Sequence, residues 1–138
     1  MHVRTETPSK RCVLGYDDCM NIDLYDEQAF MDFNQYQFRT SLTAKYPQDK
    51  AIEYLVLGLA SEAGEVAGKL KKIIRDENGE FTQANKESLA AEVGDVLWYC
   101  AQLAKHLDMN LSLIASNNLR KLESRSERGV IGGSGDNR

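Results

Sequence analysis

Proline is scarce in this chain: Pro8 and Pro47 are the only two in 138 residues. Long helices can therefore run through most of the sequence without a break. Strand signals are equally thin, with no sustained period-two alternation and few β-branched clusters. The three cysteines, Cys12, Cys19 and Cys100, are too few for a disulfide framework. Cys12 and Cys19 lack the CxxC spacing and the neighbouring histidine of a zinc site. Cys100 falls on an apolar helix face and reads as a small core residue. No apolar run approaches the roughly 20 residues that a membrane span needs, so no membrane partner is expected. The opening MHVRTETPSKRC has no apolar leader, and a cytoplasmic location is expected. A net charge of −4 gives no general attraction to nucleic acid or to an anionic surface. It leaves room for small phosphorylated ligands, which need only a local cation.

What remains is an all-α reading of four to five helices. Residues 1–25 read as a weakly structured extension, 26–128 as the helical domain, and 129–138 (GVIGGSGDNR from Gly129) as a Gly-rich tail. A first helix is predicted from Asp26 to Lys45, capped by Asp23 or Asp26, with Phe30, Phe33, Tyr36 or Gln37, and Leu42 as its stripe. Tyr46-Pro47 ends it. Asp49 then caps a second helix reaching about Arg75. Asp76–Glu80 forms a turn around Asn78-Gly79. A third helix runs from about Gln83, capped by Thr82, to Leu107. A fourth starts at Asp108 or Asn110 and stops near Arg128-Gly129.

Two acidic motifs stand out on the central pair. Glu62-Ala63-Gly64-Glu65 and Glu92-Val93-Gly94-Asp95 each hold two carboxylates three residues apart, on one helix face. The midpoint of Glu62 and Asp95 falls between Asn78 and Gly79, and so does that of Glu65 and Glu92. An antiparallel hairpin about that turn sets both pairs at one level, about 20 Å from it. The acids also border apolar stripes: Leu55, Leu59, Val66, Leu70 and Ile73 on one helix, and Leu89, Val93, Val96, Cys100, Leu103 and Leu107 on the other. Carboxylates at the rim of a core lose hydration and repel one another unless a cation binds. Four carboxylates make a hard-oxygen set for Mg²⁺, with Mn²⁺ as a substitute. A di-iron bundle would need Glu-x-x-His, and neither His2 nor His106 follows a Glu by three. The competing reading of each pair is an ordinary solvated helix face. Gly64 and Gly94 precede the second acid of each motif, either for close helix approach or metal access, or by chance.

Other residues qualify by position. Lys69 and Lys72 follow Glu62 and Glu65 by one heptad and point along the acidic face, either toward phosphate oxygens or as cations complementing the helix C-terminus. Tyr99, one turn beyond Asp95, is a site hydroxyl or a packed aromatic. Trp98 points away from the acids. Asn118, Lys121 and Arg125 share a face of the fourth helix, as a polyphosphate clamp or as a solvated basic strip.

Glu62-x-x-Glu65, Glu92-x-x-Asp95 and Asn118-x-x-Lys121, in that order on a helical chain, resemble the MazG-like nucleoside triphosphate pyrophosphohydrolases, part of the all-α superfamily that includes dimeric dUTPases and phosphoribosyl-ATP pyrophosphohydrolases. LASEAGEVAGKLKK and LAAEVGDVLWYCAQLA are close to the family wording. The resemblance implies a helical bundle assembled as a homodimer or homotetramer, and Mg²⁺-dependent cleavage of a nucleoside triphosphate substrate to monophosphate and pyrophosphate. It makes Glu62, Glu65, Glu92 and Asp95 metal ligands, with Glu62 or Glu65 also orienting the attacking water. Asn118 and Lys121 would hold phosphate, supported by Lys69, Lys72 and Arg125. Helix one would supply the base pocket, with Phe33, Gln37 and Tyr99 as candidates. The alternatives are a phosphoribosyl-ATP pyrophosphohydrolase-like or dUTPase-like enzyme, and a non-catalytic helical interaction module.

Overall fold

Asp32 starts the first helix of the computed structural model, which describes residues 31–130 and 132. Its Oδ1 accepts from the amides of Asn34 and Gln35 at 2.8 Å each, satisfying donors that a helix start leaves open. Helix α1 is Phe33–Thr40, shorter than the predicted Asp26–Lys45. The cap is Asp32, and Asp23 and Asp26 lie outside the described residues. The helix stops early because hydroxyls take over its last acceptors. Thr40 Oγ1 and Ser41 Oγ both donate to the carbonyl of Gln37, at 2.9 and 3.3 Å.

A 3₁₀ turn, Gln48–Lys50, leads into α2, Ala51–Asp76. Asp49 sits inside that turn, and α2 has no side-chain cap, so the predicted Asp49 cap is replaced by continuation from the 3₁₀ turn. Asn78 and Gly79 both adopt positive φ, 52° and 79°. They turn the chain so that the amides of Glu77 and Gly79 bond the carbonyl of Ile73. The six-residue connection Glu77–Thr82 follows, with Asn85 donating to Glu77 Oε2 at 2.7 Å and to the Glu80 carbonyl at 3.1 Å. Helix α3, Gln83–His106, is capped by Thr82 as predicted, and α4, Leu111–Glu127, takes Asn110 as its cap. Gly129, at φ 68°, follows the end of α4. The described residues contain helices and turns and no strand. Among them no helix is long and apolar enough to cross a membrane.

Helix α2 packs along α3, while α1 and α4 pack on α3 and on each other. Tyr54 meets Tyr99, Glu62 meets Glu92 and Asp95, and Lys69 meets Ser88 and Glu92. The partners step back along α3 as they advance along α2. The buried apolar set is small: Ala51, Leu55 and Ile73 on α2, Ala101 and Ala104 on α3, and Leu111. Much of the stripe expected to form the core is open instead. Val93 is 55% exposed, and Leu70 and Leu107 are also exposed.

Polar ties join the thin core. Gln102 is fully buried; it donates to Thr40 Oγ1 at 2.7 Å and accepts from the Tyr46 hydroxyl at 2.9 Å. That hydroxyl also lies 2.8 Å from His106 Nε2. Gln37 spends its whole amide on the α3–α4 corner. Its Nε2 donates to the carbonyls of Ala101 and Met109, at 3.4 and 2.9 Å, and its Oε1 accepts from Leu111 N at 3.0 Å.

Candidate metal centre

The α2–α3 packing brings three of the four motif carboxylates together. One oxygen each from Glu62, Glu92 and Asp95 lies within 4.8 Å of the other two. Glu62 and Glu92 are half-buried and Asp95 is exposed. Glu65, one turn beyond Glu62, is outside this group. It is close enough to act on it electrostatically. Desolvation, then the charges of Asp95, Glu65 and Glu92, push the Glu62 carboxyl above its ordinary pKa. An all-oxygen set with mutual repulsion fits a hard divalent cation, which would relieve the repulsion.

Lys69 stands at the edge of the group. Its Nζ pairs with Glu92 Oε1 at 2.5 Å and donates to the Ser88 carbonyl at 2.9 Å. Two clefts open beside it. One, of about 350 Å³, is lined by Ser61, Gly64, Glu65, Gly68, Lys69 and Lys72. The other, of about 250 Å³, is lined by Lys69, Lys72, Ile73, Glu77, Asn85 and Ser88. Both lysines line both clefts.

Tyr99 borders the acids from the other side. Its ring tilts against Tyr54, with centroids 6.5 Å apart, and meets Trp98 edge-on at 5.0 Å. Burial, a hydrogen bond with Tyr54 and the charges of Tyr54, Glu62 and Asp95 raise its pKa. The ring lies over Gly58, where a Cβ would overlap it. The glycine that close approach requires is therefore Gly58. A Cβ at position 64 or 94 would meet nothing within 4 Å beyond its own helix turn, so helix approach within the chain does not explain Gly64 and Gly94.

A further cleft, about 270 Å³, lies between α1 and α3, lined by Met31, Tyr36, Arg39, Thr40, Thr43 and Trp98. Trp98 Nε1 donates to Thr43 Oγ1 at 2.9 Å. Burial and then the charge of Asp95 raise the Tyr36 pKa. Phe33, Gln37 and Tyr99 are not among its lining. Phe33 is exposed and Gln37 is held by the α3–α4 corner.

The α4 residues line none of these three clefts. Asn118 and Lys121 are exposed and Arg125 is buried at 5%. Helix α4 makes no packing contact with α2 among the described elements. Sequence reasoning missed the Lys69–Glu92 pair. Part of the signal was available: 69 and 88 are as symmetric about the Asn78-Gly79 turn as 62 and 95, Lys69 does meet the Ser88 carbonyl, and Glu92 lies one turn further on. It also passed over Tyr36 and Arg39, which one turn of α1 offers to the cleft.

The chain is similar in sequence to known proteins. The family described as MazG nucleotide pyrophosphohydrolase domain matches residues 50–130. The Gene 37 protein of Mycobacterium phage L5 is 51% identical over 114 residues, covering 78% of this chain and all of the relative. No solved structure matches the chain.

Proposed function

The chain belongs to the MazG nucleotide pyrophosphohydrolase family, and from this we propose that it is a Mg²⁺-dependent hydrolase cleaving nucleoside triphosphates to monophosphate and pyrophosphate. The observation that carries the reading is the convergence of Glu62, Glu92 and Asp95 oxygens within 4.8 Å, with Lys69 paired to Glu92. Glu62, Glu92 and Asp95 would hold the ion, with α2 and α3 as an antiparallel pair presenting them. A bound divalent ion would neutralise charge on the phosphate oxygens. Lys69 and Lys72 would meet the same phosphates from their clefts. Glu65, outside the three-carboxylate group and so free of the ion, would orient the attacking water. Asn118 and Lys121 would add contacts from α4. The α1–α3 cleft of Tyr36, Arg39 and Trp98 is the space offered to the base.

Self-association is part of the same reading. With Ile74 one turn beyond Leu70 to extend the face, Ile52, Val56, Leu59, Ala63, Val66 and Leu70 repeat at alternating spacings of four and three along α2. Leu89, Val93, Val96, Cys100, Leu103 and Leu107 do the same along α3. That is the pattern of a helix seam. At about 100° per residue, each stripe lies a quarter turn from the α2–α3 contact. On antiparallel helices the two quarter turns lead to one side. Together they form an apolar face, with Val56 48% and Ile74 60% exposed, suited to a homodimer or homotetramer.

Product analysis with Mg²⁺ against the standard ribo- and deoxyribonucleoside triphosphates and dUTP tests the reaction, with Glu62→Gln as control. Monophosphate and pyrophosphate from the wild type alone are expected. No turnover, together with no nucleotide-dependent rise in Tm, would leave the interaction-module reading.

A further inference from the structure

Glu92 is an enclosed charge. Only 14% of its side chain is accessible, against 29% for Lys69, its ion-pair partner. A carboxylate so withdrawn from water requires a counter-charge. In the metal-free chain the counter-charge is the Lys69 ammonium. Its second bond, to the Ser88 carbonyl, anchors it one helical turn from Glu92 on the side away from Asp95.

We propose that Lys69 is a resident counter-cation of the acidic group, which a divalent ion displaces from Glu92, freeing the ammonium for phosphate oxygens. The inference rests on the metal-site reading above and goes beyond it, since it gives Lys69 a role before substrate arrives. Two observations support it. The ion pair takes up one oxygen of a carboxylate that the three-membered group needs, so a metal and Lys69 compete for the same charge. A released Lys69 also has somewhere to go, because both neighbouring clefts are lined by Lys69 and Lys72 together. Their paired ammonium groups would face an anion there. The exchange couples two events: metal binding supplies the lysine, and the lysine strengthens the grip on phosphate.

The alternative role is fixed positioning, with Lys69 holding Glu92 in its ligating pose throughout. The two roles predict opposite signs. Loss of a competing cation tightens metal binding, whereas loss of a positioning partner weakens it.

The test is calorimetric titration of Mn²⁺ alone into nucleotide-free full-length protein. Wild type, Lys69→Met, Lys69→Arg and Lys72→Met are compared, with circular dichroism to show that each variant is folded. Lys69→Met is expected to bind Mn²⁺ roughly three- to tenfold more tightly, the scale of a partly screened charge pair. Lys69→Arg should stay near wild type, and Lys72→Met should change binding by less than Lys69→Met. With Mn²⁺ present, inorganic pyrophosphate should bind Lys69→Met more weakly than wild type. Unchanged or weaker Mn²⁺ binding by Lys69→Met overturns the exchange, as does an equal effect from Lys72→Met. Undiminished pyrophosphate binding overturns the release of the ammonium to phosphate. If the wild type itself binds no Mn²⁺, the metal-site reading fails and the inference falls with it.

Discussion

Tyr99 lies across Gly58, so close that a side chain at position 58 would occupy the same space as the ring. This contact sets how near α2 and α3 approach just beyond the acidic group. Gly58→Ala is expected to displace the ring and destabilise the protein by about 1–3 kcal/mol, the usual cost of overpacking. Tyr99→Ala should remove most of that penalty in the double variant, a coupling that urea unfolding can measure. By contrast, Gly64→Ala meets open space and should be neutral or stabilising by up to about 1 kcal/mol. Equal effects at 58 and 64 would contradict the packing described.

Glu62 gives a prediction of opposite signs for stability and activity. Its raised pKa means that the folded, metal-free protein holds the Glu62 proton more tightly than the unfolded chain does. The corresponding stability is present below the unfolded value and is lost as pH rises through the folded one. Glu62→Gln, which cannot ionise, should therefore raise the Tm of the metal-free protein at pH 7, with the gain shrinking in mild acid. The same variant, and Asp95→Asn, should abolish turnover. Thermal unfolding across pH, run beside the product assay, checks both halves.

Mg²⁺ should stabilise the wild type and leave Glu62→Gln nearly unmoved. At one hundred times the dissociation constant, linkage gives about 2.7 kcal/mol. A Tm indifferent to millimolar Mg²⁺ would count against the metal centre.

Gln37→Ala should read out as stability. It removes three hydrogen bonds and leaves the Leu111 amide without its partner, at a cost of about 2–3 kcal/mol. A variant of normal stability with altered base preference would return Gln37 to the base pocket.

Ile74→Asp should split the assembly, because it puts a charge at the most exposed apolar side chain of the α2 stripe. Light scattering coupled to size exclusion reads the mass. A wild type that is monomeric at micromolar concentration would remove the proposed interface.

The helical class, the approximate spans of α2–α4 and the Thr82 cap were legible, and the start of α4 was narrowed to Asp108 or Asn110, because each rests on local chemistry: an apolar period, a capping oxygen, an Asn-Gly turn. The level of the acids was legible too, because hairpin arithmetic needs only residue numbers and a turn. Other features depend on three-dimensional partners. Helix α1 ends at Thr40 since two hydroxyls compete for one carbonyl, which no period reveals. Gln37 was a base-pocket candidate through the family resemblance, and only the α3–α4 corner shows where its amide is spent. Val93 and Leu107 read as core from their stripe, yet apolar periodicity does not say whether the partner lies in the same chain. Glu65 shares a helix face with Glu62, yet it lies outside the three-carboxylate group while Asp95, at the same spacing from Glu92, lies inside it, which spacing by itself does not distinguish.

The Gln37 clamp also bears on how the chain is made. Its three partners lie 64, 72 and 74 residues downstream, and α1, with eight residues, is too short to hold a helix by itself. At ribosomal speeds of about 5–20 residues per second, the last of those partners is added ~4–15 s after Gln37. Until then the α1 segment lacks the α3–α4 corner that its Gln37 amide binds. Nascent chains arrested before Leu111 should leave it open to protease or chaperone, and chains arrested well past α4 should not.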